Sequence, residues 1–494
     1  MESFVYVAGA VLLILMSFIL SSRPRRKLPP GPYPLPIIGN MLQLDRKIHY
    51  SFTKLSKQYG PLMSIHLGSL YSVVVSSPEM AKEILQKHGQ VFSGRIMLQA
   101  LQVCDHDKLS IGFMPASNIW RELRKICKEH LFSHKSLEAS NGLRQWKLQQ
   151  LLDYVQRCCD SGRAVNIREA AFTTTLNLMS TTLFSIEATE FDSEVTREFK
   201  EIMEGVSNIA LASNLGDFFP ILKPFDLQGI KRKAEGCLGK LRDKVEGYLN
   251  QRLEWRKANP DAPKKTDFLE TLVDIMEATD SGHFTTDHLI HLLMDLFAGA
   301  ADSTSITTEW IMTELMINPE KLAKVKEELK SVVGDKKKVV EESQMARLPY
   351  LQAVVKEVLR YHPPGPLLLP RKAESDQQLN GGYFIPKGTQ IFINAWAIGR
   401  DPTIWKNPDS FEPERFLDKN IDLIGGQDYE FIPFGSGRRI CPGAPLANRM
   451  LHMTTATLIH NFDWKLEDAA ADHRAEQNGM PHCRAAPLTI LPIN

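Results

Sequence analysis

One short segment, residues 434–443, restricts this chain more than any other, because it sets a single cysteine in a glycine-rich loop. A helical-looking run at 445–460 follows directly, so Cys441 is expected just ahead of a helix. Glycines at 435, 437 and 443 let the backbone turn tightly and approach a flat partner closely. The positive charge of Arg439 can lower the pKa of the Cys441 thiol. The loop thus combines a sulfur ligand, a backbone that can lie close to a flat group, and a positive charge.

Cys441 has two interpretations on these residues alone. Most isolated cysteines in folded proteins are buried and inert. A thiolate is also an axial ligand of haem iron, where its electron density favours cleavage of a bound O–O bond. A dinucleotide-binding loop does not fit, since Ile440 stands where the G-x-G-x-x-G pattern requires its third glycine.

A complete family pattern decides between these interpretations. The loop matches F-x-x-G-x-R-x-C-x-G of the cytochrome P450 family, and the chain resembles that family from the N-terminus to the C-terminus. The resemblance implies a mainly α fold, α+β by class, with a minor β region and haem b held by Cys441 as the metal ligand. It also implies a set of further haem-binding residues, of which the tryptophan and the arginines contact the propionates: Trp120, Arg124, Arg371, Phe434, Arg439 and Gly443.

Length and composition leave the number of domains open, because 494 residues with 43% hydrophobic and 24% charged residues suit one large unit or several. A net charge of +1 gives no general reason to expect nucleic-acid binding. Seven cysteines without a C-x-x-C pair indicate a reducing compartment. The chain has no repeats of fixed period, so we expect one catalytic domain over residues 46–494.

The first 45 residues predict a membrane anchor and a linker. Residues 4–20 are almost uninterruptedly apolar, and a basic cluster follows at 23–27. Such a run just reaches across a bilayer core. A cleaved signal peptide would carry its charges ahead of the apolar region, so residues 1–22 are interpreted as an uncleaved anchor with the following chain in the cytosol. Residues 23–45, basic and then proline-rich, are interpreted as a semi-rigid linker.

A long helix is predicted over residues 286–318, and its centre, 298–304, joins small residues to an acid and two hydroxyls. Small residues also serve close helix packing. Oxygen on a haem, however, needs space beside the helix and a supply of protons. Asp302, Ser303 and Thr304 are therefore candidate catalytic residues. The family motif A/G-G-x-D/E-T is altered here, with alanine for the second glycine and Ser303 for threonine, and Thr304 is the competing hydroxyl one position later.

A charged pair on the predicted helix 349–362 matches a second family motif. Glu357 and Arg360 lie on one helical face, where such a pair is most often solvated and weak. They also match the family's E-x-x-R motif, and Arg415 stands where its usual partner does. The resemblance implies a buried network that supports the thiolate loop. The minor β region is predicted as a hairpin over 62–67 and 70–76 and short strands at 383–385 and 389–393.

Within the family, the segments 40–44, 126–129 and 395–402 are similar to plant microsomal terpenoid oxidases, above all to those of the mint family that act on abietane diterpenes such as miltiradiene. The implied reaction is hydroxylation of a hydrophobic terpenoid with O2. A geraniol-type monoterpenol hydroxylase is an alternative substrate assignment. A haem-thiolate isomerase or ligand sensor that consumes no O2 is an alternative of another class.

Apolar stretches supply the candidate walls of a substrate pocket. These residues are Val103, Phe113, Leu296, Gly299, Ala300, Leu367, Leu368 and Met480. The turn at 478–483 is more polar than in the enzymes that the chain resembles. Its His482 either points away from the pocket or contacts a substrate that already carries oxygen.

The source of electrons is expected to be a separate protein, because the chain has no phosphate-cradling or dinucleotide fingerprint. The resemblance implies NADPH-cytochrome P450 reductase, with cytochrome b5 as a second donor, docking on the cysteine side of the haem. It further implies a single-pass protein of the endoplasmic reticulum membrane whose catalytic domain faces the cytosol.

Overall fold

The computed structural model describes residues 27–493, except 212–213, 279–283, 335–337, 469–470 and 478–480. Helices dominate this structure, which confirms the predicted fold class. They are α1 (Ile48–Tyr59), α2 (Pro78–Lys82), α3 (His106–Leu109), α4 (Asn118–Ile126), α5 (His134–Ala139), α6 (Asn141–Asp160), α7 (Ile167–Phe184), α8 (Glu194–Leu211), α9 (Leu215–Phe218), α10 (Ile230–Ala258), α11 (Phe268–Ala278), α12 (Thr286–Ile317), α13 (Pro319–Val333), α14 (Pro349–Tyr361), α15 (Ala395–Ile398) and α16 (Ala444–Asn461).

The strands form small sheets beside the helices. They are β1 (Leu62–Leu67), β2 (Leu70–Val75), β3 (Val165–Asn166), β4 (Arg371–Lys372), β5 (Gln377–Gln378), β6 (Phe384–Ile385), β7 (Gln390–Ile393), β8 (Asp463–Leu466) and β9 (Thr489–Ile493). One sheet has the order β1-β2-β7-β4, a second has the order β3-β9-β8, and β5 pairs with β6. The hairpin β1-β2 is antiparallel as predicted, and β6 and β7 each begin one residue later than predicted.

Helix α12 is the central element of the core. The Thr285 side chain caps its start by accepting from the backbone N–H of His288, and Pro319 begins α13 directly after its C-cap residue. From Leu289 to Leu315 the helix is buried almost all round, as expected for a core helix. It packs along α7 and against α10, α14 and α16. Its neighbours therefore come from both halves of the chain.

The proline-rich segment lies along β1. The backbone N–H of Ser64 donates to the Pro30 carbonyl at 2.7 Å, and the Ser64 hydroxyl donates to the Pro29 carbonyl at 2.8 Å. A Cβ atom at Gly31 would lie 1.9 Å from the Ser64 carbonyl oxygen, so the contact requires glycine. The part of the predicted linker from residue 27 onward is thus docked on the catalytic domain.

The predicted anchor, residues 1–22, and the basic start of the linker lie outside the described residues. Within the described ranges, no helix combines the length and the apolar character needed to cross a membrane.

A buried ionic cluster joins the end of α12 to the C-terminal segment. Glu314 accepts from Nε2 of His362 at 2.8 Å and from Arg474 at 2.9 and 2.7 Å. The His362 ring stacks on Trp310, with the ring centroids 3.7 Å apart. Burial alone would raise the pKa of Glu314, but the hydrogen bonds from His362 and Arg474 lower it to about 2.

We expect Glu314→Gln to destabilise the protein at neutral pH by roughly 3 kcal/mol, because it leaves cationic and imidazole donors without their carboxylate. The folded pKa of Glu314 lies below the ordinary value of 4.5. Its contribution is therefore complete above that value and is lost as the pH falls toward the folded pKa. Thermal unfolding midpoints of the two proteins, followed by circular dichroism, should converge on acidification from about pH 7 to about pH 3. A constant gap would contradict the assignment.

Candidate active site

The loop that carries Cys441 is a tight turn closed by its own backbone. Gly435 and Gly437 have φ values of +72° and +69°, a region that glycine enters without strain. The Cys441 N–H donates to the Phe434 carbonyl at 3.0 Å. A Cβ atom at Gly437 would lie 2.2 Å from the carbonyl oxygen of Leu85. The loop therefore seats against the backbone of the 83–87 segment only because residue 437 has no side chain.

Cys441 lies just ahead of α16, and its side chain has accessible surface. Protein atoms nevertheless surround the thiol, and this burial raises its pKa. The backbone N–H groups of Gly443 and Ala444 and the charge of Arg124 act in the opposite direction and favour the thiolate. Arg124, not Arg439 as the sequence suggested, is thus the cation that acts on the thiol. It donates to the carbonyl of Ile440, the preceding residue, at 2.6 Å.

Four arginines gather at the loop, one of them within it, and among the described residues none of them is hydrogen-bonded to a carboxylate. They are Arg95, Arg124, Arg371 and Arg439. Burial and then the charge of Arg439 lower the pKa of Arg371 to about 10. Burial and then the charge of Arg124 lower the pKa of Arg439 to about 10. Burial and the other three cations lower the pKa of Arg95 as well. Among the described residues, the cluster is a concentration of positive charge without a hydrogen-bonded carboxylate, although the charge of Glu374 acts on Arg439.

Backbone carbonyls hold these guanidinium groups in place. Arg439 donates to carbonyls of three residues, Ser93, Ile111 and Met114. Arg371 donates through Nη2 to the Ser436 carbonyl at 3.0 Å, while its buried Nη1 has no partner in the described part of the chain. The Trp120 indole N–H donates to the Ile111 carbonyl at 3.0 Å, and its ring lies 4.5 Å from the Arg439 guanidinium.

These residues fit a haem. A thiol facing open space supplies an axial ligand, and fixed arginines without carboxylate partners suit the two propionates of haem b. The unpartnered Nη1 of Arg371 is a buried donor of the kind that a bound anion satisfies. The positive charge of these arginines is thus opposite in sign to the charge of the haem propionates.

Helix α12 has two exposed residues within its otherwise buried length. Between Leu289 and Leu315, Gly299 and Ser303 are exposed, and their spacing of four puts them on one face. A Cβ atom at Gly299 would meet nothing within 4 Å. The Ser303 hydroxyl donates to the Gly299 carbonyl at 3.2 Å. In the middle of a core helix, this exposed face leaves room for a ligand.

The other two candidate catalytic residues are placed differently from Ser303. Asp302 is buried and lies 3.1 Å from Nη2 of Arg168, which is also 3.4 Å from Glu204. Thr304 is buried as well. The structure therefore presents the Ser303 hydroxyl to the open space and pairs the Asp302 carboxylate with a cation on α7.

The proposed pocket residues divide between separate apolar cores. Val103 and Leu296 belong to the cluster around Phe297, and Ala300 packs against it. Phe113 is partly buried, with its ring 6.2 Å from that of His106.

The remaining pocket residues lie elsewhere. Leu367 is 1% exposed and packs with Phe52 of α1 and Phe392 of β7. Leu368 has a φ of +51° and packs against another cluster on the sheet side. Met480 lies outside the described residues.

Glu357, Arg360 and Arg415 lie together in the interior. Arg360 donates to both carboxylate oxygens of Glu357 at 2.7 Å, and Arg415 donates to one of them at 3.1 Å. Arg360 also donates to backbone carbonyls of Gly399, Pro408 and Ser410. The network thereby fixes the 399–415 segment to helix α14.

Two features beside the site escaped the sequence analysis. One is Arg95, whose only sequence signal is a charge between Phe92 and Met97 in an otherwise apolar stretch. The other is the contact between His106 and His291, whose Nδ1 atoms are 2.8 Å apart. His291, residue 295 and Gly299 follow one another at intervals of four, which puts them on one face of α12. This spacing could have indicated that the histidine pair lies on the same face as Gly299.

Known proteins with related sequences match the whole chain. A ferruginol synthase from Isodon rubescens is 68% identical over 495 residues, covering 100% of both chains. A sugiol synthase from Salvia miltiorrhiza is 64% identical and covers 100% of this chain and 99% of its own.

The fold agrees with a solved structure. A zebrafish cytochrome P450 determined with progesterone superimposes with a TM-score of 0.75 at 24% identity, covering 90% of this chain and 99% of its own. The family model named Cytochrome P450 matches residues 29–484. The chain therefore belongs to the cytochrome P450 family, and it is a haem-dependent monooxygenase supplied with electrons from NADPH through a reductase.

Proposed function

We propose that this enzyme hydroxylates an abietane diterpene of the miltiradiene and ferruginol type. The observation that carries the proposal is the 68% identity with a ferruginol synthase over the full length of both chains. A relative named sugiol synthase at 64% identity supports the same reading. Both relatives favour it over a geraniol-type hydroxylase and over an isomerase or ligand sensor.

Within the protein, we infer that haem b lies between Cys441 and the open face of α12. Helices α12 and α16 pack against each other. Leu446, shortly after Cys441, packs against the apolar cluster that contains Leu296. The haem-thiolate group supplies the activation of O2 and the hydroxylation of an unactivated C–H bond.

The side chains around this space have distinct tasks in the proposal. Cys441 is the axial ligand, the four arginines hold the propionates, and Phe434 and Gly443 complete the haem-binding loop. Leu296 and Val103 exclude water and bind hydrocarbon, since both belong to the apolar cluster beside the open face. The Ser303 hydroxyl, 3.2 Å from the Gly299 carbonyl, is held where it can bind a water and pass on a proton.

Association with the endoplasmic reticulum membrane, through residues 1–22 and with the catalytic domain in the cytosol, is also part of the proposal. An apolar surface supports it, since Ile37 and Leu42 are 83% and 77% exposed and Ile221 and Phe225 are 82% and 69% exposed. The hairpin turn brings the two segments close, because the Ser69 N–H donates to the Phe218 carbonyl and the 35–39 segment pairs with the end of β1. Cytochrome b5 is a proposed second electron donor.

The substrate assignment can be tested with the purified enzyme, a reductase and NADPH. We expect oxygenated product, identified by mass spectrometry and NMR, from abietanes such as miltiradiene, with little product from geraniol. The Cys441→Ser variant should lack both product and the red-shifted ferrous–CO band, because an alcohol is a poor anionic ligand. Efficient oxidation of geraniol with neither product nor spectral shift from abietanes would overturn the assignment.

The fit of the loop predicts a difference between two glycine substitutions. Gly437→Ala should abolish most haem incorporation, because its Cβ would lie 2.2 Å from a backbone oxygen. Gly435→Ala is the matched control, since its φ is also positive but its Cβ would meet only the Leu368 side chain at 3.8 Å. The control should cost about 1–2 kcal/mol for the backbone conformation and retain haem. Equal ferrous–CO signals from both variants would contradict this account.

Ser303 is expected to control the coupling of NADPH use to product. Ser303→Ala should keep haem and substrate binding but release severalfold more hydrogen peroxide per NADPH, because the hydroxyl at the open face is gone. Ser303→Thr should keep or improve coupling, since a β-branched side chain restricts the rotamer. Unchanged coupling in Ser303→Ala together with a collapse in Thr304→Ala would show that the hydroxyl one position later acts instead.

The membrane proposal predicts two separable attachments. Removal of residues 2–22 should release much of the protein from microsomes without loss of the ferrous–CO band. The fraction that stays bound should fall further in the truncated Ile221→Ser/Phe225→Ser variant, because these exposed side chains then no longer enter the interface. Truncated Trp146→Ser, at a 49% exposed side chain on α6, is the control. Loss of haem from a folded truncated protein would contradict the separation.

A further inference from the structure

Three metal-ligating side chains meet at a place distant in sequence from the haem loop. His49 lies at the start of α1, and Glu476 and His482 lie in the C-terminal segment. Each offers a ligand atom within 4.8 Å of those of the other two. The side chains of His482 and Glu476 are 1% and 7% exposed, and His49 is 2% exposed. The three groups form an interior cluster contributed by both ends of the chain.

The surroundings of His482 explain why a polar residue stands in this turn. Its ring centroid is 5.5 Å from that of His49 and 5.7 Å from that of His362. Its carbonyl accepts from the indole N–H of Trp310 at 3.1 Å. His482 therefore packs between α1 and the end of α12, in a polar site of its own.

The contact between His482 and Glu476 lacks the geometry of a direct hydrogen bond. Nε2 of His482 is 2.9 Å from Oε1 of Glu476. Yet neither ring nitrogen of His482, nor Nε2 of His49, has a hydrogen-bond partner among the residues that the structure describes. The carboxylate thus lies beside the imidazole nitrogen and not along its N–H bond. Two side chains that bind the same metal ion have this arrangement, because their ligand atoms point at the ion and not at each other.

A metal ion at this cluster would compete with the positively charged side chains around it. Burial, the largest cause, lowers the pKa of the His49 imidazole to about 3. Lys47 donates to Glu476 at 2.9 Å, and its side chain is 34% exposed. Arg400 also opposes positive charge here. Because Lys47 reaches the cluster from solvent, it can leave when a cation arrives.

We propose that His49, Glu476 and His482 bind a divalent transition metal, with Zn2+ as the ion that suits them best. Two imidazole nitrogens and one carboxylate oxygen are a recurring zinc ligand set, with the fourth position open to water. Tetrahedral zinc with bonds of about 2.0–2.2 Å holds its ligand atoms roughly 3.3 Å apart. The three ligand atoms now lie within 4.8 Å of one another, so zinc would draw them closer by at most about 1.5 Å. The bound ion ties α1 to the C-terminal segment.

The proposal is tested by zinc binding to the untagged, haem-loaded protein after treatment with a chelator. Calorimetric titration with ZnCl2 and metal analysis after gel filtration should give one zinc per chain. His482→Leu and Glu476→Gln should each weaken binding by at least ~10-fold, whereas His482→Cys should retain it because a thiolate is also a zinc ligand. His134→Ala is the matched control, since that imidazole is 83% exposed.

Saturating Zn2+ should also raise the thermal unfolding midpoint of the unaltered protein by several degrees and leave that of His482→Leu unchanged. The ferrous–CO band reports whether each variant is folded, and if His482→Leu fails this test, Glu476→Gln decides. Absence of retained zinc in the unaltered protein would overturn the proposal. So would equal affinity in the folded ligand variants, which would show that these three side chains are not the zinc ligands.

Discussion

The structure depends on buried positive charge that no carboxylate of the described residues binds directly. Arg371 and Arg439 are buried beside the thiolate loop, and the carbonyls around them orient the guanidinium groups without balancing their charge. Buried cations without anions are costly. A dianionic cofactor removes that cost, so haem is a structural component of the interior as well as the reactive group. Two cations of the cluster also shape the loop, because Arg124 and Arg371 donate to the carbonyls of Ile440 and Ser436.

Helix α12 combines two demands that conflict locally. It must be apolar and closely packed to form the core, yet it must carry polar groups to its open face. The chain separates these tasks by residue. Ser303 faces the open space and bonds back to its own helix, whereas Asp302 is paired with Arg168 on α7. The Asp302 carboxylate is therefore held by a cation on α7 and not by the open face of α12.

Features with short, fixed spacing were predictable from the sequence. The loop around Cys441, the span of α12, the β1-β2 hairpin and the meeting of Glu357 with Arg360 all follow from local patterns. Contacts between distant segments were not. Nothing in the sequence around Arg95 indicates that it joins three other arginines, and nothing near His482 points to His49, 433 positions earlier. Such groupings arise from tertiary packing, which periodicity and motifs do not encode.

Tertiary packing also determines two details at the site. Asp302 is paired with Arg168, and Arg124, not Arg439, is the cation that acts on the thiol. In both places the sequence identified the right segment. Arg124 lies on α4 and Arg168 lies on α7. Their distances from the thiol and from Asp302 depend on where these two helices pack, which the whole interior determines.

The docking of the proline-rich segment on β1 has a consequence for how this region tolerates change. Its contacts with Ser64 are made by the carbonyls of Pro29 and Pro30 and by the bare backbone of Gly31. Main-chain recognition of this kind is indifferent to most side-chain replacements outside the glycine but strict about register. Adding or deleting a single residue between positions 31 and 39 would shift one pairing against the other, because the segment also pairs with β1 through Gly39 and Leu67. This stretch is therefore permissive to substitution and intolerant of changes in length.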